Sequence, residues 1–270
     1  MFENLLPEIV AIAVRAGHAI MEIYADPAIA VTAKADDSPL TQADLASDRV
    51  IGAGLTELSP GWPVLSEESA QIAYCERRDW QRFWLVDPLD GTREFIKRNG
   101  EFTVNIALIE NGEPVLGVVY APVLDVCYFA ARGVGAFVKR GNREAETIGV
   151  RTHAPGEPVK VVASRSHSDA RTDALLKQLG RYQCIGMGSS LKFCLVAEGA
   201  AHLYPRLGPT MEWDTAAAHA VVKYAGGRVC DFKGKELRYN KADLHNPEFF
   251  VLSATDTELP AQIGVMTWAR

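Results

Sequence analysis

The chain is poor in the residues that mark the commoner metal and redox sites. Its six histidines do not cluster by spacing and form no HExxH pair, so the zinc-hydrolase pattern is missing. The five cysteines (Cys75, Cys127, Cys184, Cys194 and Cys230) make no CxxC and are odd in number. This argues against a disulfide framework and for reduced, mostly buried thiols in a cytosolic protein. A basic excess is also missing: the net charge is −6, which makes a nucleic-acid polymer an unexpected partner. No uninterrupted apolar run reaches membrane-spanning length, because residues 115–126 are broken by Gly117, Pro122 and Asp125. The start, Met1-Phe2-Glu3-Asn4, lacks the basic and apolar regions of a signal peptide. There is no internal repeat and no low-complexity segment. What is present is 270 residues, 48% hydrophobic and 23% charged, enough for a sizeable globular core. A small anionic ligand is compatible with the negative charge if metal ions or local Lys and Arg meet it.

Periodicity divides the chain in two. Residues 5–24 carry Leu6, Ile9, Val10, Ala13, Ile20 and Ile23 at helical spacing, and Asp26-Pro27 ends that helix. Residues 31–34 suit a short strand. Thr41-Gln42-Ala43-Asp44 reads as a helix start, with Thr41 as cap and Asp44 either in a capping box or facing a site. Residues 63–66 form a short buried strand followed at once by Glu67-Glu68. Residues 102–109 and 115–120 are strands joined by Asn111-Gly112, a hairpin signal, and residues 125–130 and 135–139 continue them. The first half therefore reads as two helices and a mostly antiparallel sheet. Residues 140–158 turn polar and glycine-rich, which places a boundary between an N-terminal α+β subdomain, 1–155, and a C-terminal α/β subdomain, 156–270. Beyond it, strands at 159–164, 183–186, 202–204, 228–231 and 249–253 alternate with helices at 169–179, 190–198 and 214–225. A last helix is expected at 257–268.

One stretch organises the rest: W-L-V-D-P-L-D-G-T at residues 84–92. Phe83-Trp84-Leu85-Val86 is a strand apolar on both faces. Asp87 is expected to end it, Pro88 removes a ladder donor, and Asp90-Gly91 makes a turn. Extended, Asp87 and Asp90 would sit about 10 Å apart; a turn brings its ends within about 7 Å. Two carboxylates so placed, with the Leu89 carbonyl between them, suit a pair of hard cations, although Asp, Pro and Gly are also ordinary turn residues. Glu67 likewise follows a buried strand, where open α/β sheets place their chemistry. Asp214, in Glu212-Trp213-Asp214-Thr215-Ala216, opens an alanine-rich helix as a first-turn acid or a ligand. Oxygen donors alone favour Mg²⁺ or Mn²⁺ over zinc, and Mg²⁺ held by few carboxylates keeps positions open for phosphate oxygens. Gly91-Thr92 start a short helical turn whose free amides suit phosphate, or serve only as turn glycine and cap. Gly188-Ser189-Ser190-Leu191-Lys192 suits a second anion, or is an ordinary serine cap with a surface lysine.

At these residues the sequence resembles the inositol monophosphatase-like, Mg²⁺-dependent, lithium-sensitive phosphatases. The motif at 84–92, W-D-T-A-A at 213–217 and Ser66-Glu67-Glu68 carry the resemblance, which extends from Leu5 to about Val251. Ser164-Arg165-Ser166-His167 and residues 188–199 are similar as well, and within the latter residues 189–194 point to the branch that hydrolyses 3′(2′),5′-bisphosphate nucleotides. Arg93, where Lys is expected, is a mild departure.

The resemblance implies a layered α/β/α/β/α sandwich. It implies metal ligands at Glu67, Asp87, Asp90, Asp214 and the Leu89 carbonyl, holding two or three Mg²⁺, with Mn²⁺ as a substitute and Li⁺ inhibitory. Ca²⁺ is expected to inhibit on coordination grounds, since it takes longer bonds and more ligands. Thr92, with Glu67 or Asp44, would orient and deprotonate the attacking water, and the Gly91 and Thr92 amides would hold the scissile phosphate. Ser189, Lys192, His167 and Arg206 would contact the nucleotide and its second phosphate. The implied reaction removes the 3′-phosphate of adenosine 3′,5′-bisphosphate, with its sulfated relative as a second substrate. The implied location is the cytoplasm, with a peripheral position on the inner membrane as a variant. Rival readings are an inositol or sugar monophosphatase of the same fold and a metal-dependent nucleotide-binding regulator without turnover.

Overall fold

The computed structural model describes residues 2–25, 31–33, 39–69, 71–164 and 170–264. The chain opens with α1 (Phe2–Tyr24), a small hairpin of β1 (Val31–Ala33) and β2 (Pro39–Thr41), and α2 (Gln42–Leu58). Next come β3 (Val64–Ser66), a single 3₁₀ turn (Glu67–Ser69), α3 (Tyr74–Arg77), β4 (Arg82–Asp90) and α4 (Thr92–Ile96). A meander of β5 (Thr103–Glu110), β6 (Glu113–Ala121), β7 (Val126–Ala131), β8 (Gly135–Arg140) and β9 (Glu146–Thr147) follows. The remainder is β10 (Val159–Ser164), α5 (Ala170–Lys177), β11 (Tyr182–Met187), α6 (Leu191–Ala197) and β12 (Leu203–Arg206). It ends with α7 (Trp213–Tyr224), β13 (Gly227–Asp231), β14 (Phe249–Ser253) and α8 (Glu258–Gln262).

Two larger sheets result. Strands β3 to β9 lie side by side in chain order in a seven-stranded sheet, antiparallel except that β3 and β4 are parallel. The second sheet has five strands in the order β11-β10-β12-β14-β13, and its β14 is antiparallel to both neighbours. Successive strand residues point to opposite faces, so one strand feeds two cores. In β4, Trp84 and Val86 join Ile9, Ile20, Ile51 and Leu55 under α1 and α2. Phe83 and Leu85 face the other way and pack with Phe193, Ala217 and Val221 of α6 and α7. That same core takes Val162, Phe249 and Val251 from the second sheet, whose opposite face puts Val161, Phe250 and Leu252 against Leu176 and Leu259 of α5 and α8. The order is helices, sheet, helices, sheet, helices: the expected five-layered sandwich. Strands covered on both faces explain the continuous apolar runs of residues 83–86 and 106–109.

Helix α7 approaches the first sheet closely enough that a Cβ on Gly117 would lie 2.2 Å from the Ala217 carbonyl oxygen. Its His219 is buried, with Nδ1 2.9 Å from the Tyr239 hydroxyl. Burial, reinforced by Lys223, pushes its pKa down to about 3. The unfolded chain therefore binds a proton at His219 that the folded chain refuses. The stability this neutral histidine contributes is complete above about pH 6.5 and falls with pH by up to about 1.4 kcal/mol per unit. In His219→Gln, urea-unfolding free energies followed by tryptophan fluorescence are expected to depend on pH between 4 and 6 less steeply, by about one proton. Identical slopes would remove His219 from that role.

The sequence expectations need correction at several elements, the unexpected short strands β2 and β9 among them. Asp87 does not end its strand: β4 runs on through Pro88 to Asp90, with a register shift against β5 between Asp87 and Asp90. Helix α3 was not foreseen. The last helix spans Glu258–Gln262 rather than 257–268, and residues 265–270 lie outside the described set. Among the described residues no helix is long and apolar enough to cross a membrane. We keep the division at 155/156 as a proposal. It falls in sequence between β9 and β10, while α6 and α7 serve the core shared by both sheets.

Candidate active site

The first group of site residues is set by the end of β4. In the parallel β3–β4 pair Ser66 lies opposite Val86, so the next residues, Glu67 and Asp87, are neighbours. On the other side Asp87 pairs with Asn105 and Asp90 with Thr103, so Pro88 and Leu89 together face Val104. This is a bulge, where a strand tolerates a proline with no N–H to give. The bulge is anchored to α2: Ser47 Oγ donates to the Pro88 carbonyl at 2.7 Å. Asp44, buried in the first turn of that helix, lies near enough for its charge to act on Asp87. The Leu89 N–H donates to Asp87 Oδ1 at 3.1 Å. Gly91 then takes φ +96°, a conformation that favours glycine, and Phe95 N–H closes the first turn of α4 on the Gly91 carbonyl at 2.9 Å. Thr92 is the first residue of that helix.

The second group comes from α6 and α7. Glu212 precedes α7 and is fully buried. Its carboxylate accepts Asn240 N–H at 2.6 Å, Lys241 N–H at 2.9 Å and Lys241 Nζ at 2.6 Å. Asp214, in the first turn, accepts the Met211 N–H at Oδ2, 2.8 Å away. Ser189 sits at φ +46° with Oγ 2.8 Å from the Asp90 carbonyl and 2.7 Å from the Glu101 carbonyl. A Cβ on Gly91 would fall 2.1 Å from that Oγ, so the two loops meet without room for a side chain. Ser190 is the N-cap of α6 by position but makes no capping bond. Its hydroxyl lies 2.9 Å from Asp90 Oδ2 and 2.9 Å from the Asp214 carbonyl. Lys192 is buried rather than a surface residue, and its Nζ donates to the Ser189 carbonyl at 2.6 Å. Arg206 donates from Nη2 to the Pro209 carbonyl at 3.0 Å, while its Nε is buried without a partner. Asp90, Ser189, Lys192, Arg206 and Asp214, with Tyr204 behind them, line a recess of about 70 Å³.

The charges in this region are poorly compensated. Burial, then the charges of Glu67, Asp90, Asp214 and Asp44, hold the Asp87 carboxyl well above the usual carboxylate range. Burial and Asp90 raise Asp214 to about 8. Asp90 is raised by burial against the opposing pull of Lys192 and the Ser190 hydrogen bond. Burial lowers Lys192 to about 8. A carboxylate set that raises its own pKa values fits a hard divalent cation, and its donors are all oxygens. Among the described residues, no three Asp, Glu, His or Cys side chains close on one point as a ready-made cluster. The acids feel one another's charge without converging fully.

Glu67, Asp87, Leu89, Asp90, Gly91, Thr92, Ser189, Lys192, Arg206 and Asp214 thus belong to segments that meet here, and Asp44 borders them. His167 lies outside the described residues. Sequence reasoning missed Asn105, Thr103, Glu101 and the role of Ser190. One signal was available: Asn105 is a polar residue inside the otherwise apolar run of residues 104–109.

The model of the inositol monophosphatase family matches residues 2–261, and the chain belongs to that family. Over 250 residues it is 54% identical to the 3′(2′),5′-bisphosphate nucleotidase CysQ of Salmonella typhimurium, an alignment covering 92% of this chain and 99% of that protein. The crystal structure of CysQ from Bacteroides thetaiotaomicron superimposes with a TM-score of 0.82 at 42% identity, covering 94% of this chain and 98% of the other. The inositol monophosphatase from Anabaena shares the fold with a TM-score of 0.74 at 22% identity, covering 97% and 95% of the two chains.

Proposed function

We propose that this chain is a Mg²⁺-dependent phosphomonoesterase of the cytoplasm that removes the 3′-phosphate of adenosine 3′,5′-bisphosphate, giving AMP and phosphate. The sulfated relative, 3′-phosphoadenosine 5′-phosphosulfate, would be a second substrate. The observation that carries this reading is the recess beside Asp90 and Asp214, which sets two cations, Lys192 and Arg206, next to the acids. A substrate with two phosphates has one group for each side of such a site. The 54% identity to a bisphosphate nucleotidase, across nearly all of that protein, supports the same choice.

On this reading Glu67, Asp87, Asp90, Asp214 and the Leu89 carbonyl would hold two or three Mg²⁺, for which Mn²⁺ would substitute. Bound metal of this kind lowers the pKa of water and stabilises a leaving oxygen. The chain's own part is positional. Thr92, with Glu67 or Asp44, would orient the attacking water and take its proton. The Gly91 and Thr92 N–H groups would hold the oxygens of the scissile phosphate. Ser189, Lys192, Arg206 and His167 would hold the nucleotide and its second phosphate.

The position of cleavage is directly testable. Phosphorus NMR of the reaction with adenosine 3′,5′-bisphosphate and Mg²⁺ is expected to show loss of the 3′-phosphate resonance and retention of the 5′. Loss of the 5′-phosphate would overturn the assignment. Replacing NaCl by LiCl at equal ionic strength is expected to slow the reaction in the millimolar range. Li⁺ is small enough for a Mg²⁺ position but carries half the charge. Equal rates in the two salts would contradict a lithium-sensitive site. Excess Ca²⁺ is also expected to inhibit, since its longer bonds displace water and phosphate.

A further inference from the structure

Beneath the acids runs a buried polar chain that the reaction scheme does not use. Thr103 Oγ1 donates to Asn105 Oδ1 at 3.1 Å, and Asn105 Nδ2 donates to Ser190 Oγ at 3.0 Å. Ser190 Oγ in turn lies 2.9 Å from both Asp90 Oδ2 and the Asp214 carbonyl. Asn105 and Ser190 are each 1% exposed, and Thr103 is fully buried. The direction of the chain follows from its chemistry. Asn105 presents an N–H to Ser190, occupying a lone pair of the hydroxyl. The hydroxyl proton is thereby turned away from Asn105 and toward Asp90 and Asp214, of which the carboxylate is the stronger acceptor. Asn105 has a second tie to the site, since its backbone stands directly opposite Asp87 in the β4–β5 register.

We infer that Asn105 and Ser190 are positioning residues that fix the Asp90 carboxylate, and its spacing from Asp214, for cation binding. The inference rests on the reading of Asp90 as a metal ligand. A carboxylate on the exit of a bulge has rotational freedom, and one oriented oxygen confines it. Thr103 in β5, Ser190 before α6 and Asp214 in α7 come from three elements, so the chain also sets the distance between the two acidic segments. Outer hydrogen-bond partners of metal ligands typically change affinity or activity by about 10–100-fold when removed.

The test is Mn²⁺ binding without any substrate, read from the electron paramagnetic resonance of free Mn²⁺, on the full chain and its variants. Ser190→Ala is expected to weaken binding about tenfold or more, and Ser190→Thr, which keeps the hydroxyl, to restore it to within about threefold. Asn105→Ala is expected to weaken binding as well, and the double variant to be no weaker than the poorer single one, because Asn105 acts through Ser190. If Asn105→Ala fails to fold by circular dichroism, the Ala–Thr comparison at Ser190 decides alone. If the wild type binds Mn²⁺ and Asp90→Asn abolishes it while Ser190→Ala leaves it intact, this inference is wrong and the metal reading stands. Additive losses in the double variant, or no rescue by threonine, also overturn it. If Asp90→Asn binds Mn²⁺ as the wild type does, both readings fall together.

Discussion

Asp90→Asn is expected to lower Mg²⁺-dependent phosphate release by at least about a hundredfold, a loss near 3 kcal/mol, without unfolding the protein. The carboxylate stands where β4 ends, beside Glu67, Asp87 and Asp214, whose charges oppose one another. Replacing one charge by an isosteric amide weakens cation binding and relieves repulsion when no cation is bound. The urea-unfolding midpoint in EDTA should therefore stay level or rise while turnover collapses. Near-normal turnover at ordinary Mg²⁺ would remove Asp90 from the metal set. A collapse of both quantities would make its role structural.

Lys192→Ala should separate the substrates. The ammonium lines the recess next to Arg206 and would meet the second phosphate, which adenosine 3′,5′-bisphosphate has and inositol monophosphate lacks. Loss of a charge-assisted contact costs about 1.5–3 kcal/mol, or about 10–150-fold in kcat/KM for the bisphosphate. Hydrolysis of the monophosphate should change by less than about threefold. Lys192 also donates to the Ser189 carbonyl and pulls the pKa of Asp90 down, so a purely structural role would depress both substrates alike. Equal losses would end its part in specificity.

The sequence makes the acids legible and leaves their supports obscure, for definite reasons. Glu67 and Asp87 stand out because each is an acid at or just past a buried apolar strand, and the parallel β3–β4 pair makes them neighbours. The double-sided apolar character of residues 83–86 announces a strand between two layers, and Trp84 and Phe83 do face opposite cores. By contrast, Pro88 reads as a strand breaker because the carbonyl anchor that makes the bulge tolerable is Ser47, distant in sequence. Helix α3 is too short to show periodicity. Its Arg77 reaches Asn240 and the carbonyls of Lys241 and Ala242, contacts that no local pattern encodes. Lys192 reads as a surface lysine because lysine at a helix start usually is one. Here α6 lies between two sheets and has few faces left for water. Ser190 reads as a cap for a similar reason: the position is right, but its hydroxyl is taken by Asp90 and Asp214, brought there by tertiary structure.

The central claim is that the acids and the Lys192–Arg206 recess act together on one substrate with two phosphates. It is tested most directly by phosphate release, with Mg²⁺ and with EDTA, from a panel at equal concentration: adenosine 3′,5′-bisphosphate, 3′-phosphoadenosine 5′-phosphosulfate, inositol monophosphate and fructose bisphosphate. The account predicts Mg²⁺-dependent release that is fastest from adenosine 3′,5′-bisphosphate, by at least about tenfold over inositol monophosphate, and none in EDTA. Faster release from inositol monophosphate or fructose bisphosphate, or tight binding of the nucleotide with no release at all, would contradict it.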